Sequence, residues 1–193
     1  EHPDLPDGET VVVDVLEGIW KCCRVLDPAR ARESLESLAR RYHAASMSKE
    51  EAFAHIRLVN LHSQQGRFAM AFDAYERALD LMGQDEVLNA VASTVIAYTY
   101  TFLGRHNEAL DLLAAARGVL ERSDRFLSAV NALSTLAASV WIGDLSQAAA
   151  WYEKTTELGA GHLDIELMAD MWLYHVKCLE GKFAEALSVH EKV

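Results

Sequence analysis

The sequence predicts an all-α fold, an array of antiparallel helix hairpins, and three observations carry that prediction. Proline occurs only at Pro3, Pro6 and Pro28, so nothing interrupts the Ala- and Leu-rich body of strong helix formers that follows. One phrase recurs: GRFAMA starts at Gly66, GRHNEA at Gly104, GDLSQA at Gly143 and GKFAEA at Gly181, at spacings of 38, 39 and 38 residues. An Ala stands five residues after each Gly, at Ala71, Ala109, Ala148 and Ala186, and a period of this size marks stacked helical units. Finally, VLNAVASTVIAYTYTFLG (87–104) and FLSAVNALSTLAASVWIG (126–143) each run eighteen residues without a charge, as helices covered on most sides do.

The elements follow in order. Residues 1–10 form a polar, Pro-broken lead that reads as disordered and has no signal-peptide pattern. A helix is expected near 11–26. Asp27 is placed to cap the next helix, 28–44, with Pro28 at its first position. These two make a degenerate hairpin, 11–44, whose Ala31 lies forty residues before Ala71. Four fuller hairpins are expected over 48–83, 85–122, 124–159 and 162–193. Their first helices (48–65, 85–103, 124–142, 162–180) end at the Gly, which accepts the left-handed turn that closes a helix. Their second helices (68–82, 106–121, 145–158, 183–193) start two residues after it. The recurrent Ala sits where two axes pass closely, and Tyr75 and Ala78, or Tyr152 and Thr155, continue the same stripe. The last hairpin is clipped at Val193 with no polar capping helix, which predicts a parent chain that continues.

Composition narrows the function. A net charge of −11 argues against a nucleic-acid binder, since phosphate contacts need a basic face. Cys22, Cys23 and Cys178 form neither a disulfide framework nor a metal motif and read as buried thiols in a reducing cytosol. The two uncharged stretches approach the length of a membrane span. They carry Asn89, Ser93, Thr94, Thr99 and Thr101 in one and Ser128, Asn131, Ser134, Thr135 and Ser139 in the other. They also fall at one place in the repeat, so both read as buried helices of a soluble, cytoplasmic array with no membrane partner.

Leu58, Gly66, Phe68, Ala71, Tyr75, Ala78 and Leu79 resemble the tetratricopeptide repeat. The resemblance covers about 48–193, with 11–44 as a worn copy. The period here exceeds the family's ~34 residues by about one helical turn. Longer units of this kind are similar to the sensory regions that precede GGDEF diguanylate cyclase domains, and to the helical domains of maltose-regulator-type transcription activators. The resemblance implies a right-handed superhelix (an α-solenoid) with a concave groove lined by the first helix of each hairpin, and a binding module without chemistry of its own.

Carried over by position, that groove takes Phe53, Ile56, Asn60 and Gln64 from the first full unit, and Val91, Thr94, Tyr98, Thr101 and Phe102 from the next. The third supplies Val130, Leu133, Ala137, Val140 and Trp141, and the last Met168, Met171, Trp172, His175 and Leu179. The carboxylate clamp of some chaperone-binding relatives is rejected, because only Asn60 fits it and Ile56, Val95, Val130 and Ser134 stand at its other places. An apolar and aromatic groove suits a protein or peptide helix, a neighbouring domain of the parent chain, a small apolar ligand, or a second copy in a homodimer. Tight curvature would instead bury many of these side chains as core.

No catalytic set, cofactor motif or metal site is predicted. His162, Glu166 and Asp170 share one helix face, but a solvated face gives the same spacing. His55 and His62, two turns apart on one face, are expected to be one core and one surface residue. The basic run RARESLESLARRYH reads as a solvated face because Glu33 and Glu36 interleave it. The expected function is a recognition or sensory module of a larger bacterial signalling protein such as a GGDEF cyclase, the alternatives being part of a transcription activator or a free-standing scaffold.

Overall fold

The computed structural model describes residues 28–191, which contain nine α-helices and no strand. They are α1 (Pro28–Ala44), α2 (Ser48–Gln64), α3 (Phe68–Met82), α4 (Glu86–Phe102), α5 (His106–Ser123), α6 (Arg125–Ile142), α7 (Leu145–Gly159), α8 (Leu163–Leu179) and α9 (Phe183–His190). The expected lead, the 11–26 helix, the Asp27 cap, Cys22 and Cys23 lie outside the described residues. The bounds fall within two residues of expectation, except that α9 ends at His190. Another difference has a clear cause. Asp124, extended at φ −155° and ψ 134°, ends α5 and begins α6 in a single residue, and its side chain accepts a hydrogen bond from the Leu127 N–H. With no Gly needed at that junction, α5 runs on to Ser123.

The described residues divide into two compact units, one ending at Leu88 and the other starting at Asn89. In the first, α1 packs on α2 and α2 on α3. Tyr42 is buried there with Leu38, Met47 and Phe53 against it. Lys49 Nζ donates to Asp85 Oδ2 at 2.7 Å, while Asp85 Oδ1 caps the next helix at the Leu88 N–H, 3.0 Å away. In the second unit α5 packs on α6, α6 on α7, α7 on α8 and α8 on α9, and α6 also meets α8 directly. That last contact joins the first helices of successive hairpins, so stacking there buries a continuous core, as in repeat architectures. Its apolar centre includes Leu133, Leu136, Val140, Ile165, Trp172 and Val176.

The recurrent alanines are close contacts, as the register requires. Ala71, Ala109 and Ala148 have no exposed surface and Ala186 almost none. Ala109 of α5 packs with Ala97 of α4, Leu113 of its own helix and Ala138 of α6. The turn glycines behave as expected too: Gly143 closes α6 at φ 80° and ψ 13°, a conformation costly for any residue with a Cβ.

Helix α6 explains how a stretch of near-spanning length is used inside a protein. It is apolar and long enough to cross a membrane, yet 61% of that window is buried by the rest of the chain. Ser128, Thr135 and Ser139 are buried, and each hydroxyl donates to the carbonyl four residues back, at 2.9, 2.9 and 2.8 Å. Asn131 donates from Nδ2 to Thr94 Oγ1 of α4 at 3.0 Å and to the Leu113 carbonyl of α5 at 3.1 Å. Such bonds offset the cost of burying these groups, while Asn131 Oδ1 is left without a partner.

Candidate functional site

The positions carried over to a concave groove divide by burial. Ile56, Thr94, Leu133 and Trp172 are buried and belong to the packing. Val91, Thr101, Ala137 and Val140 join them. Thr94 is occupied twice, donating to the Ala90 carbonyl and accepting from Asn131. Trp172, 7% exposed, sits in the core of the second unit. In the first unit Asn60 is half-buried and accepts from Gln64 Nε2 at 3.1 Å.

Of the carried-over positions in the second unit, those at the C-terminal ends of the first helices stay accessible. Phe102, Trp141 and Leu179 each stand two residues before a turn Gly, and all three are exposed, Trp141 at 53%. Tyr98 meets the edge of Phe102 at 4.6 Å between ring centroids, and Phe102 meets Trp141 at 6.2 Å. Leu103 and Ile142, one residue further along, are exposed as well and widen the apolar strip. On α8, Met171 and His175 are exposed; His175 Nδ1 lies 2.7 Å from the Met171 carbonyl, and its ring rests against Trp172 and Tyr174.

The first unit holds a second concavity that the sequence reading did not place. A groove of about 460 Å³ is floored by Glu51, His55, Leu58 and His62 of α2 and walled by α1 and α3. On a helix of 3.6 residues per turn, residues 51, 55, 58 and 62 fall on the side opposite to 53, 56, 60 and 64. The groove therefore lies on the back of the helix whose front was expected to bind. His55 and His62 are both buried, at 8% and 4% exposure, which corrects the expectation of one core and one surface imidazole. Nδ1 of each is shut away from solvent and finds no partner. Burial lowers both His pKa values, helped by Arg77 near His55 and by Arg67 and Arg32 near His62. Glu51 is engaged by His43, whose Nδ1 lies 3.2 Å from both carboxylate oxygens.

The acidic and imidazole groups of α8 and its approach have separate structural tasks. His162 stacks on Phe126, Glu166 accepts the Gly161 N–H at 2.9 Å, and Asp170 accepts the Tyr152 hydroxyl at 2.8 Å. Burial first, then that hydrogen bond, pushes the Tyr152 phenol up to about 12. Among the described residues no three His, Cys, Asp or Glu side chains converge as metal ligands. Cys178 is a free, half-buried thiol.

Neither a curated protein nor a solved structure matches the chain. A family model described as "Tetratricopeptide repeat" matches residues 54–87, which cover most of α2, all of α3 and the start of α4. The match covers 34 of the 193 residues and, with the helices on either side of it packed as consecutive pairs, supports a tetratricopeptide-like arrangement of helix hairpins.

Proposed function

We propose that this chain is a protein-binding module whose second unit recognises a partner polypeptide through exposed Phe102, Trp141, Met171 and His175, with half-buried Tyr98 beside Phe102. The observation that carries the reading is Trp141, a large aromatic left 53% exposed on a helix otherwise devoted to packing. Aromatic side chains that stay accessible on rigid elements are the groups that anchor interfaces. Phe102 of α4 and Trp141 of α6 meet at 6.2 Å between ring centroids, and such a pair suits the apolar face of an amphipathic helix. The tetratricopeptide match supports a protein or peptide as the partner.

The repeat period of 38 to 39 residues resembles that of sensory regions in bacterial signalling proteins. It supports placing this module in the cytosol as the regulatory part of a larger chain, such as a GGDEF diguanylate cyclase. A transcription activator or a free-standing scaffold would use the same surface. Selection of displayed peptides on the wild-type chain, with counter-selection on a Phe102→Ala/Trp141→Ala variant, tests the surface. Peptides that bind at least tenfold more weakly to the variant are expected. Peptides indifferent to the two substitutions would remove the row from recognition.

A further inference from the structure

From the outer face of α8 we infer a self-association surface, on which the α8 of a second copy of this chain packs antiparallel. It follows from the register that the hairpins share. Counted back from the turn Gly, positions 14, 10, 7 and 3 on α6 are Ala129, Leu133, Leu136 and Val140, all buried. They form one cluster with Ile165, Ala169, Trp172 and Val176 of α8. The same four positions on α8 hold Leu167, Met171, Tyr174 and Cys178. Each lies two residues past a member of that cluster, on the opposite side of the helix. Met171 and Tyr174 are exposed there, and Leu167 and Cys178 are half-buried. Leu163, the first residue of α8, lies one turn before Leu167 and is 63% exposed. Phe183, the first residue of α9, is 70% exposed, and Leu187 is exposed one turn later. His190 continues that stripe of α9, and its ring lies 5.9 Å from Tyr174, so the two helices present one apolar face.

The residues of this face depart from the code by which one hairpin stacks on the next. Fourteen residues before the Gly, the three earlier first helices carry Ala52, Ala90 and Ala129, all buried, where α8 has Leu167. Eighteen before it they carry Ser48, Glu86 and Arg125, where α8 has Leu163. Seven before it, Val59, Ala97 and Leu136 give way to Tyr174. Each change enlarges the apolar face, and the side chains at a contact set how closely two axes approach. What the face fits is its own reverse. Leu167, Met171, Tyr174 and Cys178 follow the 4–3–4 spacing of a coiled-coil seam. Read backwards that spacing is the same. An antiparallel copy therefore sets Leu167 opposite Cys178 and Met171 opposite Tyr174, the self-complementarity that pairing about a two-fold axis requires. The same reversal brings Leu163 at the start of one α8 level with Phe183 just past the end of the other. Leu163, Met171, Tyr174, Phe183 and Leu187 together expose about 500 Å², at ~200 Å² per large side chain. A standard interface buries about 800 Å² per partner, a little over half of it apolar, so two copies supply what a stable dimer needs. Met171 is the one residue shared with the recognition surface proposed above, and neither Phe102 nor Trp141 takes part.

Analytical ultracentrifugation of the full chain, from micromolar to millimolar concentration, tests the surface. A dimer is expected, at least tenfold weaker for Leu163→Glu/Phe183→Glu and unchanged for Phe102→Ala/Trp141→Ala. Leu163 and Phe183 are both exposed, and circular dichroism checks that their double variant keeps its helices. Cross-linking tests the register. In a chain carrying Leu167→Cys with Cys22→Ser and Cys23→Ser, oxidation by diamide should join position 167 of one copy to Cys178 of the other. Within one chain these positions stand about 16 Å apart along the helix, too far for a disulfide. Adding Cys178→Ser should abolish the covalent dimer. A chain that stays monomeric would overturn the inference and leave the face to another polypeptide. A dimer indifferent to the two glutamates, a dimer lost with Phe102 and Trp141, or a cross-link that fails to form or survives Cys178→Ser would overturn it as well. None of these outcomes bears on the peptides selected through Phe102 and Trp141.

Discussion

The first and last full hairpins place different chemistry at one address. Counting back from the turn Gly, positions eleven and four residues earlier are His55 and His62 in α2 but Asp170 and Lys177 in α8. In the last hairpin both are closed by pairing. Asp170 takes the Tyr152 hydroxyl from α7, and Lys177 Nζ lies 3.0 Å from Glu185 of α9 and 3.6 Å from Glu180. In the first, the imidazoles have orphan Nδ1 atoms, and Met70 stands where α9 has Glu185, four residues after the Gly. The same backbone thus carries side-chain pairs across the back face in one hairpin and a trough in the other. The lesson is that the repeat specifies the position of the trough, and the side chains at two register positions decide whether it is filled.

The largest expected effect breaks the packing that all hairpins share. Ala109→Leu should destabilise the chain by about 1–3 kcal/mol, because added methylenes have nowhere to go between α4, α5 and α6. Ala186→Leu, in a helix that packs on α8 alone among the described helices, should cost less. Denaturant melts of the two variants check the order. Equal, negligible losses would mean that the alanines are not the close contacts their register implies.

That shared frame was legible in the sequence because it depends on residues with few physical alternatives. A Gly in the left-handed region and an Ala at a helix crossing announce themselves by type and spacing, so the hairpin bounds followed. The binding face was harder. Thr94 and Asn60 look alike on paper, both polar on a first helix, yet one is buried and bonded to Asn131 and the other half-exposed. Spacing reports which face a residue is on and leaves open how deeply the next hairpin covers it. Leu133 and Trp172 were misplaced for the same reason. The back groove was illegible for another: Arg40 and Arg77 come together only because α1 and α3 both pack on α2. The histidines held a usable signal, since no other repeat has an imidazole at either register position.

A second, smaller effect sharpens the comparison from the sealed side. Tyr152→Phe removes the donor that occupies Asp170 and should cost about 1 kcal/mol, the usual net worth of such a bond. The equivalent residue above His55 is Leu35, four after Ala31 as Tyr152 is four after Ala148. It is already apolar, so Leu35→Met should be close to neutral. Chemical denaturation of both variants measures the contrast. A loss at Leu35 as large as that at Tyr152 would show that the hydroxyl does no more than fill space.

The smallest effect is a pH dependence confined to the open hairpin. Burial holds His55 and His62 below the ordinary His value, with Arg77 reinforcing the first and Arg67 and Arg32 the second. When a group's folded pKa lies below its unfolded value, the unfolded chain binds more protons in between, so stability rises with pH across that window. The contribution is complete above the unfolded value of about 6.5 and is lost as pH falls below it through the depressed folded values. Melting temperature should therefore drop between pH 7 and pH 5, and a His55→Leu/His62→Leu variant should drop by less. The acidic and basic pairs of the last hairpin contribute no imidazole titration at these positions, so the difference between the two curves belongs to α2. Parallel curves would mean that both rings are solvated and that burial does not set their titration.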